Sequence, residues 1–195
     1  MPPIPHVTRN LMLACTAVFC LQFLLGPRLT VWCALFPLGS GRFLPWQLLT
    51  YAFLHGDVMH LFFNMLGLWM FGSELERLWG PRRFLQFMGA GVLAAAAMQL
   101  LVTALMGWGA PTVGISGGIF ALLLAYGMLF PERTIMPLFP PIPMKARTFV
   151  IVFGAISLFL GLSGGGGVAH FAHLGGMVGG WLMLRYWRGQ RGRRR

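Results

Sequence analysis

Apolar residues run along this chain in long blocks. They do not alternate as in a half-buried strand, nor do they form the stripe of a helix lying on a wetted core. Six blocks stand out, at 11–25, 48–71, 84–106, 113–130, 148–162 and 168–187. Each approaches the roughly 20 residues that a helix needs to cross the hydrocarbon of a bilayer. Helix breakers separate them: Pro27, Pro37 and Pro45, then Gly80-Pro81, the stretch 107–111, the prolines within 131–143, and the glycines of 164–167. The first block could pass for a secretory signal, but it lacks a convincing basic n-region and a clear cleavage site, so it is read as a helix. The pattern predicts an all-α polytopic membrane protein of six transmembrane helices, a single membrane domain over 1–195.

Composition narrows the picture. The 195 residues are 57% hydrophobic and only 10% charged, whereas a soluble domain carries about 25% charged residues to wet its surface. An ordinary soluble enzyme, a disulfide scaffold and a disordered chain are thereby excluded. Cys15 and Cys20 lie inside the first apolar block and Cys33 has no evident partner, so the three cysteines form no framework. The net charge of +11 sits in short connections and in a tail with Arg185, Arg188, Arg191, Arg193, Arg194 and Arg195. No basic stripe interleaves with stacking aromatics, so nucleic acid is not an expected partner. The arginines read instead as topology signals and contacts to anionic lipid head groups. Thirteen basic residues fall on one side of the six spans and only Arg28 and Arg42 on the other. Both termini are therefore expected in the cytoplasm, with the 27–47 loop, the 107–112 loop and the 164–167 turn outside.

Ionisable and amide side chains within spans are costly, and they mark function when they have partners. His60 and Asn64 lie four apart, on one face of the second span. Ser116 opens the fourth span within Gly114-Ile115-Ser116-Gly117-Gly118, and His170 and His173 open the sixth. In the derived topology these three spans all start from the outer side, so His60, Asn64, Ser116 and His173 share one shallow depth. A serine, histidines and an amide at one level suit nucleophilic acyl chemistry: a histidine takes the serine proton and donors stabilise the oxyanion. The glycines flanking Ser116, together with the Gly175/Gly179 and Gly176/Gly180 pairs, allow close helix approach. No His-Glu-x-x-His helix exists for a metal, Asp57 is the only aspartate, and Lys145, the only lysine, lies on the other side. A serine–histidine dyad without metal or cofactor remains. His170 reads as a rim residue, His55 as support for the outer loop, and Glu76 and Arg77 as holding the cytoplasmic turn.

Three motifs, in order on spans two, four and six, resemble those of the rhomboid family of intramembrane serine proteases. The first runs from Trp46-Gln47 through His55, His60 and Asn64 to Gly72, Glu76-Arg77 and Gly80. The second is Gly114-Ile115-Ser116-Gly117, and the third is Ala172-His173-Leu174-Gly175-Gly176 with Gly179 and Gly180 behind it. The resemblance covers about residues 10–187. It implies a six-helix rhomboid bundle of the minimal bacterial type, with Ser116 as nucleophile and His173 as general base. It also implies an oxyanion site formed by the Ser116 N–H and the side chains of His60 and Asn64, and an aromatic, Phe120, beside the catalytic histidine. Gly114 and Gly117 pack the site. Family members often have Trp-Arg where this chain has Trp46-Gln47, so the outer loop is expected to lack one ion-mediated anchor.

The implied reaction cuts a transmembrane segment of a membrane-protein substrate near its outer end, after that segment enters sideways. A helical peptide bond is hydrogen-bonded and shielded, so the segment must first unwind. Substrates with Gly, Pro or polar residues near the cut and a small residue before it are expected. The 164–167 turn has the composition of a mobile cap. A second function stays open, that of an inactive rhomboid-like protein that binds membrane clients without cutting them. The preference for arginine over lysine points to a bacterial source, and the lack of a targeting extension suits a bacterial inner membrane.

Overall fold

The computed structural model describes residues 3–107, 110–138, 141–163 and 170–192, the side chains of 191 and 192 excepted. The glycine turn at 164–167, whose composition suits a cap, lies outside the described residues. Helices account for most of what is described. They are α1 (His6–Leu25), α2 (Pro27–Cys33), α3 (Gln47–Thr50), α4 (Val58–Gly67), α5 (Ser73–Trp79), α6 (Pro81–Met106), α7 (Ser116–Leu129), α8 (Ala146–Leu162) and α9 (His170–Gly192). A π-helical turn, Leu68–Gly72, joins α4 to α5 without a break. By length and composition α1 and α6 are long and apolar enough to cross a membrane, and α7 and α8 are shorter apolar helices.

Helix starts differ from the hydropathy blocks in both directions: α1 and α6 begin earlier, at His6 and Pro81, and two helices begin later, each with a local cause. The second block predicts helix from 48, but its long helix begins at Val58, where the Asp57 side chain accepts a hydrogen bond from the His60 N–H at 2.8 Å. The apolar residues before it fold as α3, a 3-10 turn and a short connection, and they bury Tyr51, Ala52 and Leu54. The fourth block begins as extended chain: Thr112 pairs with Leu35 through two backbone hydrogen bonds of 2.9 Å, and α7 starts only at Ser116. A run of apolar residues cannot distinguish a buried loop from the helix it feeds. Between α7 and α8 the chain also forms a small antiparallel hairpin, β1 (Thr134–Ile135) with β2 (Met144–Lys145), in a stretch whose prolines predict only a connection.

α9 is the hub of the bundle, and its glycines explain how. Gly175 and Gly179 face α6, where an added Cβ would come within 2.8 Å of the Ala94 and Ala90 carbonyl oxygens respectively. Gly176 and Gly180 face α7, one position round the helix. Two ridges of small residues at i, i+4 spacing thus let backbone meet backbone on two neighbours at once. Around this centre Leu68, Phe71, Leu75, Phe84, Phe87 and Leu122 form a continuous buried core.

Two polar knots tie the ends of the bundle. At the N-terminus of α1 the buried Glu76 carboxylate accepts hydrogen bonds from the Val7 N–H, the Thr8 N–H and the Thr8 hydroxyl at 2.7–3.0 Å, while Arg77 donates to the Pro3 carbonyl. These bonds serve the otherwise unpaired first N–H groups of a helix. At the opposite end, buried Gln47 accepts from the Phe36 and Leu44 N–H groups and donates to the Trp32 and Arg42 carbonyls. The loop before α3 therefore has an anchor at Gln47, though not an ion-mediated one. A neutral amide with its hydrogen-bonding capacity filled supplies it.

Candidate active site

The site is assembled from the first turns of three helices and one extended strand. Asp57 caps α4 and so places His60 in its first turn, with Asn64 one turn further and 5% exposed. The strand before α7 is held on both sides, by Leu35 at Thr112 and by the Tyr51 carbonyl, which accepts from the Gly114 N–H at 2.9 Å. Gly114 has φ +111°, and a Cβ on it would lie 2.7 Å from the His60 ring. Only glycine fits that backbone and that contact. Ser116 follows at the start of α7, where the main-chain N–H groups have no partner within the helix.

His173, in the first turn of α9, reaches Ser116: its Nε2 lies 2.9 Å from the serine Oγ. The imidazole stacks on Phe120, one turn after Ser116, with ring centroids 4.1 Å apart and planes 5° from parallel. Among the described residues, its Nδ1 is buried without a hydrogen-bond partner. Ring stacking therefore orients this histidine where a carboxylate would do so in a triad. Close approach depends on Gly117, where a Cβ would overlap the Ala95 side chain at 2.3 Å, and on Gly176 across the helix pair.

Two donors face the space beside Ser116. The Asn64 Nδ2 is buried and has no partner among the described residues. The His60 Nδ1 accepts a long hydrogen bond from the Gly56 N–H at 3.4 Å. In that tautomer the proton sits on Nε2, the atom turned towards Gly114. His55 packs edge-on against His60 at 5.2 Å, and its backbone is held at both N–H and carbonyl by Gln22 of α1. His170 lies 6.0 Å from His173, ring to ring, on the wall of the cavity.

That cavity, of about 1120 Å³, passes over Ser116, His60, Asn64 and His173. It continues as an apolar cleft between the α4–π segment (Phe63, Met70) and α8 (Phe149, Phe153). Its polar wall includes two residues that sequence reasoning missed, Gln99 and Thr103 of α6. Both are buried; the Thr103 hydroxyl donates to the Gln99 carbonyl at 2.9 Å, and the Gln99 Oε1 has no partner among the described residues. An amide alone in an alanine-rich span was the available signal, by the rule that singles out Asn64. Among the described residues no group of three or more His, Cys, Asp or Glu is placed to hold a metal ion.

A family model described as a Rhomboid domain matches residues 42–189. The chain is similar to the rhomboid protease GlpG of Serratia proteamaculans, 29% identical over 188 residues, and to that of Yersinia pestis, 27% identical over 187. Each alignment covers 93% of this chain and 62% of the relative, so the chain spans about three-fifths of the length of these relatives.

Proposed function

We propose, from the premise that this chain belongs to the rhomboid family, that it is an intramembrane serine endopeptidase working through Ser116 and His173. The observation that carries the reading is the 2.9 Å contact between the His173 Nε2 and the Ser116 Oγ. A protein that only bound membrane clients would have no use for such a pair, and no observation favours that alternative.

The chemistry follows from the geometry. The Ser116 Oγ attacks the carbonyl carbon of the scissile peptide while the His173 Nε2 accepts its proton. The carbonyl oxygen becomes an oxyanion, facing the Ser116 N–H, the Asn64 amide and the His60 Nε2–H. The buried Asn64 Nδ2, which lacks a partner among the described residues, needs no reorganisation to meet that charge. The tetrahedral adduct collapses to an ester on Ser116, and His173 passes its proton to the leaving amine. Water then attacks the ester with His173 again as base, which releases the acid product and restores the hydroxyl. The unpaired Gln99 Oε1 and the Thr103 hydroxyl give the cavity wall polar groups that suit that water.

Substrate class and placement belong to the same proposal. The cleft between the α4–π segment and α8 suits a transmembrane segment arriving sideways, unwound where it meets Ser116. The crossings are α1, α4 through α5, α6, α7, α8 and α9, with both termini cytoplasmic by the thirteen-to-two distribution of basic residues. α7 has only 14 residues because extended chain leads into it; such backbone is tolerated at membrane depth where it is buried in protein. A bacterial inner membrane is the setting this reading assigns.

The test is cleavage of a single-span substrate by purified protein in detergent, alongside Ser116→Ala and His173→Ala. Wild type is expected to yield a product, and each variant to lose at least about 10³-fold in rate. A fluorophosphonate should label wild type and not Ser116→Ala. A product that persists in both variants refutes the dyad.

A further inference from the structure

Far from the Ser116 site, on the opposite end of α9, Trp181, Arg185, Arg188 and Gly189 line a shallow recess. The spacing of 181, 185 and 188 puts the three side chains on one helix face. The Arg185 guanidinium sits 4.9 Å above the Trp181 ring, which fixes its plane and leaves its outward N–H groups free to donate. The recess is open at Gly189, where a Cβ would meet nothing within 4 Å. At the same end Arg83 lies over the Trp187 ring at 5.7 Å.

Among the described residues these arginines have no protein counter-charge. The chain has four acidic residues, and each is engaged elsewhere. Asp57 caps α4, Glu74 is bound by Arg133 and Tyr126, Glu76 holds the start of α1, and Glu132 pairs with Lys145 and Arg147. Among the described residues no carboxylate pairs with Arg82, Arg83, Arg185 or Arg188. An anion from outside the chain would complete the recess. Directly towards the bilayer from the arginine pair, Val178, Trp181 and Leu182 are exposed, which lays an apolar strip against a cationic recess. A free phosphate would leave that strip unused; a ligand with acyl chains below a phosphodiester would cover both.

We propose that Arg185, Arg188 and Trp181 form a binding site for the headgroup of an anionic phospholipid, with its acyl chains lying along Val178 and Leu182. The inference rests on α9 crossing the bilayer, but not on the protein being a protease. The two arginines donate to the phosphodiester oxygens and the indole marks the headgroup level, where aromatic side chains gather in membrane proteins.

The experiment is native mass spectrometry of the delipidated full chain, titrated with phosphatidylglycerol, phosphatidylcholine or inorganic phosphate. Wild type should hold one phosphatidylglycerol more tightly than any further copies. Phosphatidylcholine and inorganic phosphate should fail to displace it. Arg185→Gln with Arg188→Gln should weaken that first site roughly 10- to 30-fold, the effect of two basic residues at a membrane surface. Arg42→Gln, at the other end of the molecule, should leave it unchanged. Should the double variant fold poorly, Trp181→Leu keeps both charges and is expected to weaken the site several-fold. Equal phosphatidylglycerol binding by wild type and these variants, equal binding of phosphatidylcholine, or displacement by inorganic phosphate overturns the proposal. Because binding is read directly, an inactive dyad would not affect the outcome.

Discussion

Gly176→Ala is the substitution whose effect can be worked furthest from the structure. Gly176 lies three residues after His173 on α9 and faces α7. A Cβ at this position would stand 2.0 Å from the Gly117 carbonyl oxygen and 2.7 Å from its carbonyl carbon. Ordinary contact begins near 3.4 Å, so the methyl group intrudes by about 1.4 Å. What it meets is backbone, which has no rotamer to swing aside. α7 and α9 must therefore separate at the point that brings His173 to Ser116. Overpacking of this kind costs about 1–3 kcal/mol, which for a chain of this length corresponds to a melting temperature lower by roughly 2–12 °C. The catalytic consequence is separable. Widening the 2.9 Å His173–Ser116 contact by about 1 Å removes the hydrogen bond. Misplacement on that scale costs on the order of 10²-fold in rate. The assay pairs thermal unfolding in detergent with kcat/KM on a single-span substrate, measured well below the variant's melting temperature. Gly189→Ala, on the same helix but with open space around it, is the control and should be neutral or slightly stabilising. A Gly176→Ala protein that melts and cleaves like wild type would refute the backbone contact. Lowered stability with a wild-type rate would mean that the strain is absorbed away from the dyad, so that Gly176 does not set the distance between His173 and Ser116.

Gln47→Leu is expected to leave the Phe36 and Leu44 N–H groups without their acceptor, at a cost of about 2 kcal/mol or more. Amide exchange should quicken over 32–44, and because Leu35 holds Thr112, cleavage should fall as well; unchanged exchange there would remove Gln47 as the anchor. Glu132 supplies a pH prediction. A hydrogen bond from Lys145, together with the charge of Arg147, holds its carboxyl below the usual 4.5. A depressed folded-state pKa stabilises above the unfolded value, and that contribution is lost as pH falls through the folded value. The protection factor of the β1–β2 hairpin, which is the exchange rate corrected for its intrinsic pH dependence, should therefore fall below about pH 4 and stay flat between about pH 6 and 8. Glu132→Gln should abolish that dependence, and a dependence that survives in it would point to another group.

How much could be read from the chain differs from residue to residue, for physical reasons. His60 and Asn64 were legible because spacing on a helix sets which side chains share a face. Ser116 and His173 were legible as a pair at one depth, since topology and residue count place helix starts at a common level. Gln99 and Thr103 escaped because nothing local tells an amide facing a cavity from one packed between helices. The start of the second long helix at Val58 escaped because Tyr51, Ala52 and Leu54 are as apolar as a membrane span, yet are buried inside the protein. The neutral anchor at Gln47 escaped because its partners, Trp32 near the end of α2 and Phe36, Arg42 and Leu44 beyond it, meet the amide through the path of a loop that no helical spacing describes.

Taken alone, the sequence determined the solvent this chain requires, since so few charges cannot wet a soluble surface. It also determined how the basic residues divide among the connections, and the side chains available for chemistry. These follow from composition and period, which are properties of the chain one stretch at a time. Only the tertiary structure decided that His173 meets Ser116 at 2.9 Å and stacks on Phe120, and that Gly114 turns beneath His60. It alone decided that the cleft opens between the α4–π segment and α8. Those contacts join residues more than fifty positions apart. They depend on how closely backbones approach at Gly117 and Gly176, a distance that arises only when whole helices pack.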